Sequence, residues 1–236
     1  MGNIQLNRST LAEQVADLLA TRIEADGLKP GDPLPSIARL AEEFKVSKPI
    51  IREALKTLEG RSLIEVANGK TPIIRPISSD SLRLFFERAV ALDPRSMIEL
   101  LEIRRGLEIQ SVLLAARHAT VAQTAEMRTL VEQMRANLYD HALYADLDLE
   151  LHMRIASASC NTLMFHLIES IRDVLKDTIK EGLRSRFTDE QLHHVQSLHE
   201  SLVERIGAGD VEGAGTVMAA HFDDAINAIY RSLIKA

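Results

Sequence analysis

Apolar residues recur at three- and four-residue spacing through most of the chain, and short β-branched runs interrupt that rhythm only around residues 63–75. The first amphipathic stretch runs from Leu11 to Ala25, with Leu11, Val15, Leu18, Leu19 and Ile23 on one face. That spacing predicts a helix that docks one side onto a core. Ser9 or Thr10 can cap it, Glu13 follows Thr10 at capping-box distance, and Gly27 ends it. Leu28 to Ser36 holds three prolines and a glycine, a rigid turn that cannot be helix interior. A short helix follows over about 37–44 with Ser36 as its cap. After Lys45-Val46 comes another, to about Gly60, with Ser47 as cap and Pro49 in the first turn. Ile51, Ala54, Leu55 and Leu58 give this helix an apolar face, and Lys48, Arg52 and Lys56 give it a basic stripe. The runs 63–66 and 71–75 flank Asn68-Gly69, a strong hairpin signal. Helix, helix, helix and hairpin in this order make a winged helix-turn-helix, an α+β module.

A polar turn, Arg75 to Asp80, separates this module from a wholly helical remainder. The expected division is a winged domain over 1–76, a linker over 77–81 and a helical domain over 82–236. Candidate helices cover 80–91, 95–118, 120–138, 141–158, 161–183, 188–207 and 210–234. Each carries an aliphatic stripe, such as Leu100, Leu101, Leu107 and Leu114, or Ile168, Ile171, Leu175 and Ile179. Short connections between long helices make neighbours antiparallel, so the fold class is mostly α: a winged module followed by an all-α antiparallel bundle.

Composition sharpens this picture. Hydrophobic residues make up 46% of the 236 and aromatics 4%, so the core must be aliphatic. The single cysteine, Cys160, excludes an internal disulfide framework and fits a reducing compartment. No apolar run reaches the ~18 residues of a membrane span, and the first residues lack the apolar core of a secretory signal. A cytoplasmic protein with no membrane partner is expected. The net charge of −6 is unevenly spread: residues 1–75 hold 11 basic and 10 acidic side chains, the remainder 17 and 24. A basic spot over 47–61, four basic against two acidic residues, fits DNA binding by the first module alone.

The helical part carries one constellation with chemistry. Asp148 and His152 are four apart, so both project from one helix face. Glu150 points roughly 200° away. His199 lies on a later helix and His221 on the last. Three imidazoles and a carboxylate from three helices can meet inside a bundle, a donor set suited to Zn²⁺, Ni²⁺ or Mn²⁺. The alternative is that these histidines pack or face solvent, as His118, His141, His166, His193 and His194 are expected to do.

Pro30-Gly31, Leu34-Pro35-Ser36, Leu40-Ala41, Val46-Ser47, Arg52-Glu53-Ala54-Leu55, Leu58 and Leu63-Ile64 resemble the signature of the GntR family of bacterial transcription regulators. The resemblance implies operator contacts from Lys48 and Arg52 and a wing glycine at Gly69 near the minor groove. The positions expected at the DNA are Ser36, Arg39, Ser47, Lys48, Pro49 and Arg52, with Asn68, Gly69 and Lys70 of the wing. The family has Glu-Arg-Glu after Leu-Pro-Ser, whereas this chain has Ile37-Ala38-Arg39. The arginine is displaced by one position, about 100° around a helix, so Arg52 and the wing should carry more of the base readout. Glu102-x-Arg104-x-x-Leu107-Glu108, Asp148-x-x-Leu-His152, Ala158-Ser159-Cys160-Asn161, His199 to Asp210 and Met218-x-x-His221 are similar to the FCD ligand-binding domain of the FadR branch. That resemblance implies a divalent metal on Asp148, His152, His199 and His221. It further implies a small carboxylate effector near Arg104 and Asn161, and a homodimer. Arg104 has an alternative role, a helix-surface ion pair with Glu108. The expected function is a ligand-responsive regulator, a repressor in the simplest scheme. Two other readings stay open: a metal-dependent hydrolase fused to a DNA-binding module, and a bundle that serves only for dimerisation.

Overall fold

In the computed structural model, which describes residues 9–66, 71–93, 95–184 and 188–235, helix α1 (Leu11–Ala25) opens on the expected reciprocal cap. Thr10 N donates to Glu13 Oε2 at 2.6 Å, and Glu13 N donates back to Thr10 Oγ1 at 3.2 Å. The chain divides between Ser78 and Ser79 into two compact units.

The first unit contains α1, α2 (Ile37–Glu43), α3 (Lys48–Gly60) and a two-stranded antiparallel sheet of β1 (Ile64–Glu65) and β2 (Ile73–Ile74). Ile64 pairs with Ile74 and Glu65 with Ile73, while Pro33 bridges to Ile73. The expected wing turn, Asn68 to Lys70, lies outside the described residues. The apolar face of α3 is buried as read: Ile51, Ala54, Leu55 and Leu58 pack with Val15, Leu19 and Leu40. On α1 the reading needs correction. Leu11 and Leu18 are 49% and 58% exposed, and Ala16 is buried instead. At 100° per residue the buried arc runs from Val15 through Leu19 and Ile23 to Ala16, and the two leucines fall on its flank.

The second unit is all helix: α4 (Asp80–Leu92), α5 (Ser96–His118), α6 (Val121–Ala136), α7 (His141–Ala158), α8 (Thr162–Arg184), α9 (Asp189–Ala208) and α10 (Val211–Lys235). Thr120, Asp140 and Thr188 cap α6, α7 and α9 with side-chain oxygens. Gly209, at φ +70°, ends α9 in the left-handed conformation that glycine adopts freely. Helix α5 lies against α7, α8, α9 and α10, and α6 lies against α7 and α9. The stripe read on α5 is only a small part of its buried surface. Leu100 and Leu101 are buried, Leu107 and Leu114 only partly, and Arg104, Glu108 and Ser111 are inside with them. On α8, Ile168, Ile171 and Leu175 are buried, and the side chain of Ile179 lies outside the description. Among the described residues no helix is long and apolar enough to cross a membrane.

Candidate metal centre and DNA-recognition face

Helix α7 presents Tyr144, Asp148 and His152 at successive four-residue steps, so all three point the same way, and all three are buried. Helix α9 brings Gln196 and His199 to them, α10 brings His221 and Phe222, and α5 brings Arg104 and Glu108. One donor atom from each of Asp148, His152, His199 and His221 lies within 4.8 Å of the others. His152 Nε2 is 3.1 Å from His221 Nε2, and His199 Nε2 is 3.0 Å from Asp148 Oδ1. Metal bonds of about 2.0–2.1 Å put neighbouring ligand atoms about 2.8–3.4 Å apart, so these two pairs each have the spacing of neighbouring ligands. His199 Nε2 supplies a further test of the fit. It is fully buried, and although Asp148 is within ion-pair distance, the ring nitrogen does not line up for a hydrogen bond with any described residue. A cation bound beside Asp148 would take the lone pair of that nitrogen. Burial alone would raise the Asp148 carboxyl. The close contact and charge of His199, then the charges of His152 and His221, outweigh that and hold it far below the usual carboxylate range.

Glu108 orients His152. Its Oε2 makes a very short contact with His152 Nδ1, and its Oε1 accepts from Arg104 Nε at 2.6 Å. An ionised carboxylate only accepts, so Nδ1 carries a hydrogen and Nε2 is the nitrogen turned to the cluster. Burial pushes the Glu108 carboxyl up, but Arg104 and then His152 overcome this and keep it below its ordinary value. The Arg104–Glu108 pair is therefore not the helix-surface ion pair of the alternative reading: the side chains are 4% and 1% exposed. Arg104 also stacks over the Phe222 ring, 5.2 Å from its centroid. Glu108, Tyr144 and Gln196 are the residues that the sequence did not single out for the site. Their signal was spacing: four after Arg104, four before Asp148 and three before His199.

Of the two expected effector residues, Arg104 joins the cluster and Asn161 does not. Asn161 is exposed, and its Oδ1 accepts from Met164 N at 3.0 Å, which caps α8. It borders a separate surface cavity of about 350 Å³ with Cys160, Phe165 and His166. Glu150 is turned away from the four donors and bonded to Arg154 at 2.8 Å. His118, His193 and His194 are exposed, and His141 and His166 are half-buried.

On the first unit, Ser36 caps α2 by accepting from Arg39 N at 3.3 Å. Arg39 is exposed, but its Nε bonds Glu43 Oε1 at 2.9 Å, and the other oxygen of Glu43 takes Arg22 at 2.8 Å. Ser47 stands at the N-cap of α3 without a side-chain cap bond, against expectation. Pro49, in the first turn, has no N–H, so one fewer donor needs capping there. Lys48 and Arg52 are exposed, and neither has a hydrogen-bond or ion-pair partner among the described residues, whereas Lys56 pairs with Glu53 at 3.2 Å. Asn68, Gly69 and Lys70 lie outside the described residues.

Comparison with known proteins gives two family matches, the FCD domain over residues 99–224 and "Bacterial regulatory proteins, gntR family" over 11–72. The HTH-type transcriptional regulator LutR of Bacillus subtilis (strain 168) is 31% identical over 198 residues, 82% of this chain and 90% of that one. The putative L-lactate dehydrogenase operon regulatory protein of Escherichia coli (strain K12) is 27% identical over 216 residues, 89% and 83% of the two chains. Among solved structures, Streptococcus agalactiae GntR matches 92% of this chain and 100% of its own at 25% identity and a TM-score of 0.69.

Proposed function

Since this chain belongs to the gntR family of bacterial regulatory proteins and carries an FCD domain, we propose that it is an operator-binding regulator whose helical unit senses a small organic acid at a divalent metal centre. The family consists of transcription regulators and not enzymes, which removes the hydrolase alternative. The single observation that carries the sensing role is the convergence of four buried donors from α7, α9 and α10, one of them a histidine nitrogen without a hydrogen bond.

In this reading Asp148, His152, His199 and His221 hold the ion, and zinc, nickel or manganese suits the donor set. A cation there supplies a Lewis-acidic point for an anionic oxygen. Arg104, already inside the cluster, pairs with the acid's carboxylate. A relative named for an L-lactate dehydrogenase operon points to the same chemical class. Two copies in a homodimer place their α3 helices in successive major grooves of a near-palindromic operator, in the cytoplasm. There Lys48 and Arg52 meet phosphate and base edges, while Ser36, Arg39, Ser47, Pro49 and the wing residues 68–70 flank them. The acid binds two conformations of the bundle unequally, and operator affinity falls, as in a repressor.

The test is metal analysis of protein purified without chelator, followed by a thermal-shift screen of small organic acids with and without metal. About one metal per chain, and acid stabilisation only in the metal-loaded protein, is the expected result. No stoichiometric metal together with no shift from added divalent ions would leave the bundle a dimerisation unit.

A further inference from the structure

A second polar chain runs from the cluster to the surface, and its hydrogens can be assigned from the partners alone. Gln196 Nε2 lies 3.1 Å from the Val131 carbonyl oxygen and 2.7 Å from Glu200 Oε1. Both only accept, so the side-chain amide fits one way round and its Oε1 faces Tyr144. Tyr144 Oη is 3.1 Å from that oxygen and must donate to it. The same Oη is 3.2 Å from His199 Nδ1. With its own hydrogen given to Gln196, it can only accept there, so Nδ1 bears the ring hydrogen. Nε2, on the ligand side, then lies 3.0 Å from an Asp148 carboxylate oxygen and is the ring nitrogen left to give its lone pair to a cation. At the outer end Glu200 receives both Nε, at 2.8 Å, and Nη2 of Arg135. That ion pair borders a groove of about 230 Å³ between α6 and α9.

We propose that Tyr144, Gln196 and Glu200 are positioning residues for the metal ligand His199. Together they fix its hydrogen on Nδ1, hold the ring plane and present the Nε2 lone pair to the cation. The proposal rests on the four buried donors being a metal centre. It gives the site two unlike clamps: His152 is held by an anion, Glu108, and His199 by a neutral phenol whose chain ends in a charge-balanced pair at the surface. Outer partners of this kind set ligand tautomer and basicity, and removing one costs about 10–100-fold in metal affinity.

The experiment is zinc affinity of the full chain, by competition with a chromophoric chelator, for the wild type, Tyr144→Phe, Gln196→Leu and Glu200→Gln. Glu204→Gln, in the same groove but outside the chain of bonds, is the control. Tyr144→Phe is expected to bind zinc about 10–100-fold more weakly, Gln196→Leu several-fold more weakly, and the control as the wild type does. Nitrogen-15 spectra of the zinc-loaded wild type should show His199 hydrogenated at Nδ1, with slow solvent exchange that quickens in Tyr144→Phe. Melting of the metal-free proteins checks folding. If Tyr144→Phe does not fold, Gln196→Leu and Glu200→Gln decide. Tight zinc binding by the wild type with unchanged affinity and exchange in the folded variants overturns the proposal alone. A wild type that takes up no zinc or other divalent ion overturns the metal reading, and the proposal with it.

Discussion

On α3, Lys48 and Arg52 project into solvent from a helix whose adjoining apolar face is fully buried, and no described acidic side chain holds them. In the bundle Arg104 carries the same charge but is buried, with Nε committed to Glu108 and its guanidinium over Phe222. Solvated cations remain available to a polyanion and release its counterions when they meet it. A buried cation must be paired where it stands, so it can act only by moving its partner or by accepting a ligand that replaces one. The first unit thus keeps its reactive charge on the outside of a simple core. The second builds its core around charge, so in the proposed function stability and ligand response would depend on the same groups.

If this difference is real, removing one partner from the buried network should have the largest effect. Glu108→Ala leaves Arg104 without its carboxylate and His152 without its Nδ1 acceptor, and should cost about 3–5 kcal/mol in chemical denaturation of the bundle. A loss under about 1 kcal/mol would place the pair with ordinary surface bridges. The acid dependence has a definite sign. Because Glu108 is held below its ordinary range, its contribution is fully present above that range and is lost as the pH falls through the lowered folded value.

Next in size is the loss of the free cations. Lys48→Ala with Arg52→Ala should weaken operator binding by about 100-fold or more at fixed salt, with the melting of the helical unit unchanged. Wild-type affinity in a DNA-shift assay would remove α3 as the recognition helix. Smaller again is the effect of chelation. With free metal at about ten times its dissociation constant, metal should add about 1.4 kcal/mol to stability, and a chelator should remove it. His199→Ala should not respond to either, and a response as large as wild type would take His199 out of the ligand set.

The two regions also differed in how far the sequence revealed them. The winged unit was legible because its signals are local: the Thr10–Glu13 box, the Pro-Gly turn and the apolar face of α3 each depend on neighbours within one turn. Its misreadings of Leu11 and Leu18 concern which flank of a helix meets its partner, which spacing does not determine, whereas Ser47 stands at the N-cap without the side-chain bond that its residue type suggests. In the bundle the helices followed from periodicity, and the four donors stood out as an i, i+4 pair plus isolated histidines on later helices. What spacing could not show is that the polar residues beside them are inside. Arg104, Glu108 and Ser111 on α5, like Tyr144 and Gln196, fall at helical intervals that elsewhere mark a solvated face. Whether such a stripe is wet or buried depends on what α7, α9 and α10 place opposite it. Asn161 failed to join them for the converse reason: its position just before a helix start makes capping its local use.

Arg39 tests the boundary between the two kinds of charge on a small scale. It is exposed like Arg52, yet it is engaged by a carboxylate like Arg104, since Glu43 accepts from both Arg39 and Arg22. If engagement is what withholds a cation from DNA, Arg39→Ala should cost less than about threefold in operator affinity, against about tenfold or more for Arg52→Ala. Glu43→Ala should then raise affinity a few-fold, because it frees the Arg39 guanidinium, leaves Arg22 held by Asp26 alone and removes a negative charge from the same unit. The salt dependence should steepen as well, by about one ion per cation that comes to rest on a phosphate. Equal losses from Arg39→Ala and Arg52→Ala would mean that the Glu43 pair opens on the operator. Exposure alone, rather than freedom from a partner, would then be what fits a side chain of this helix pair for recognition.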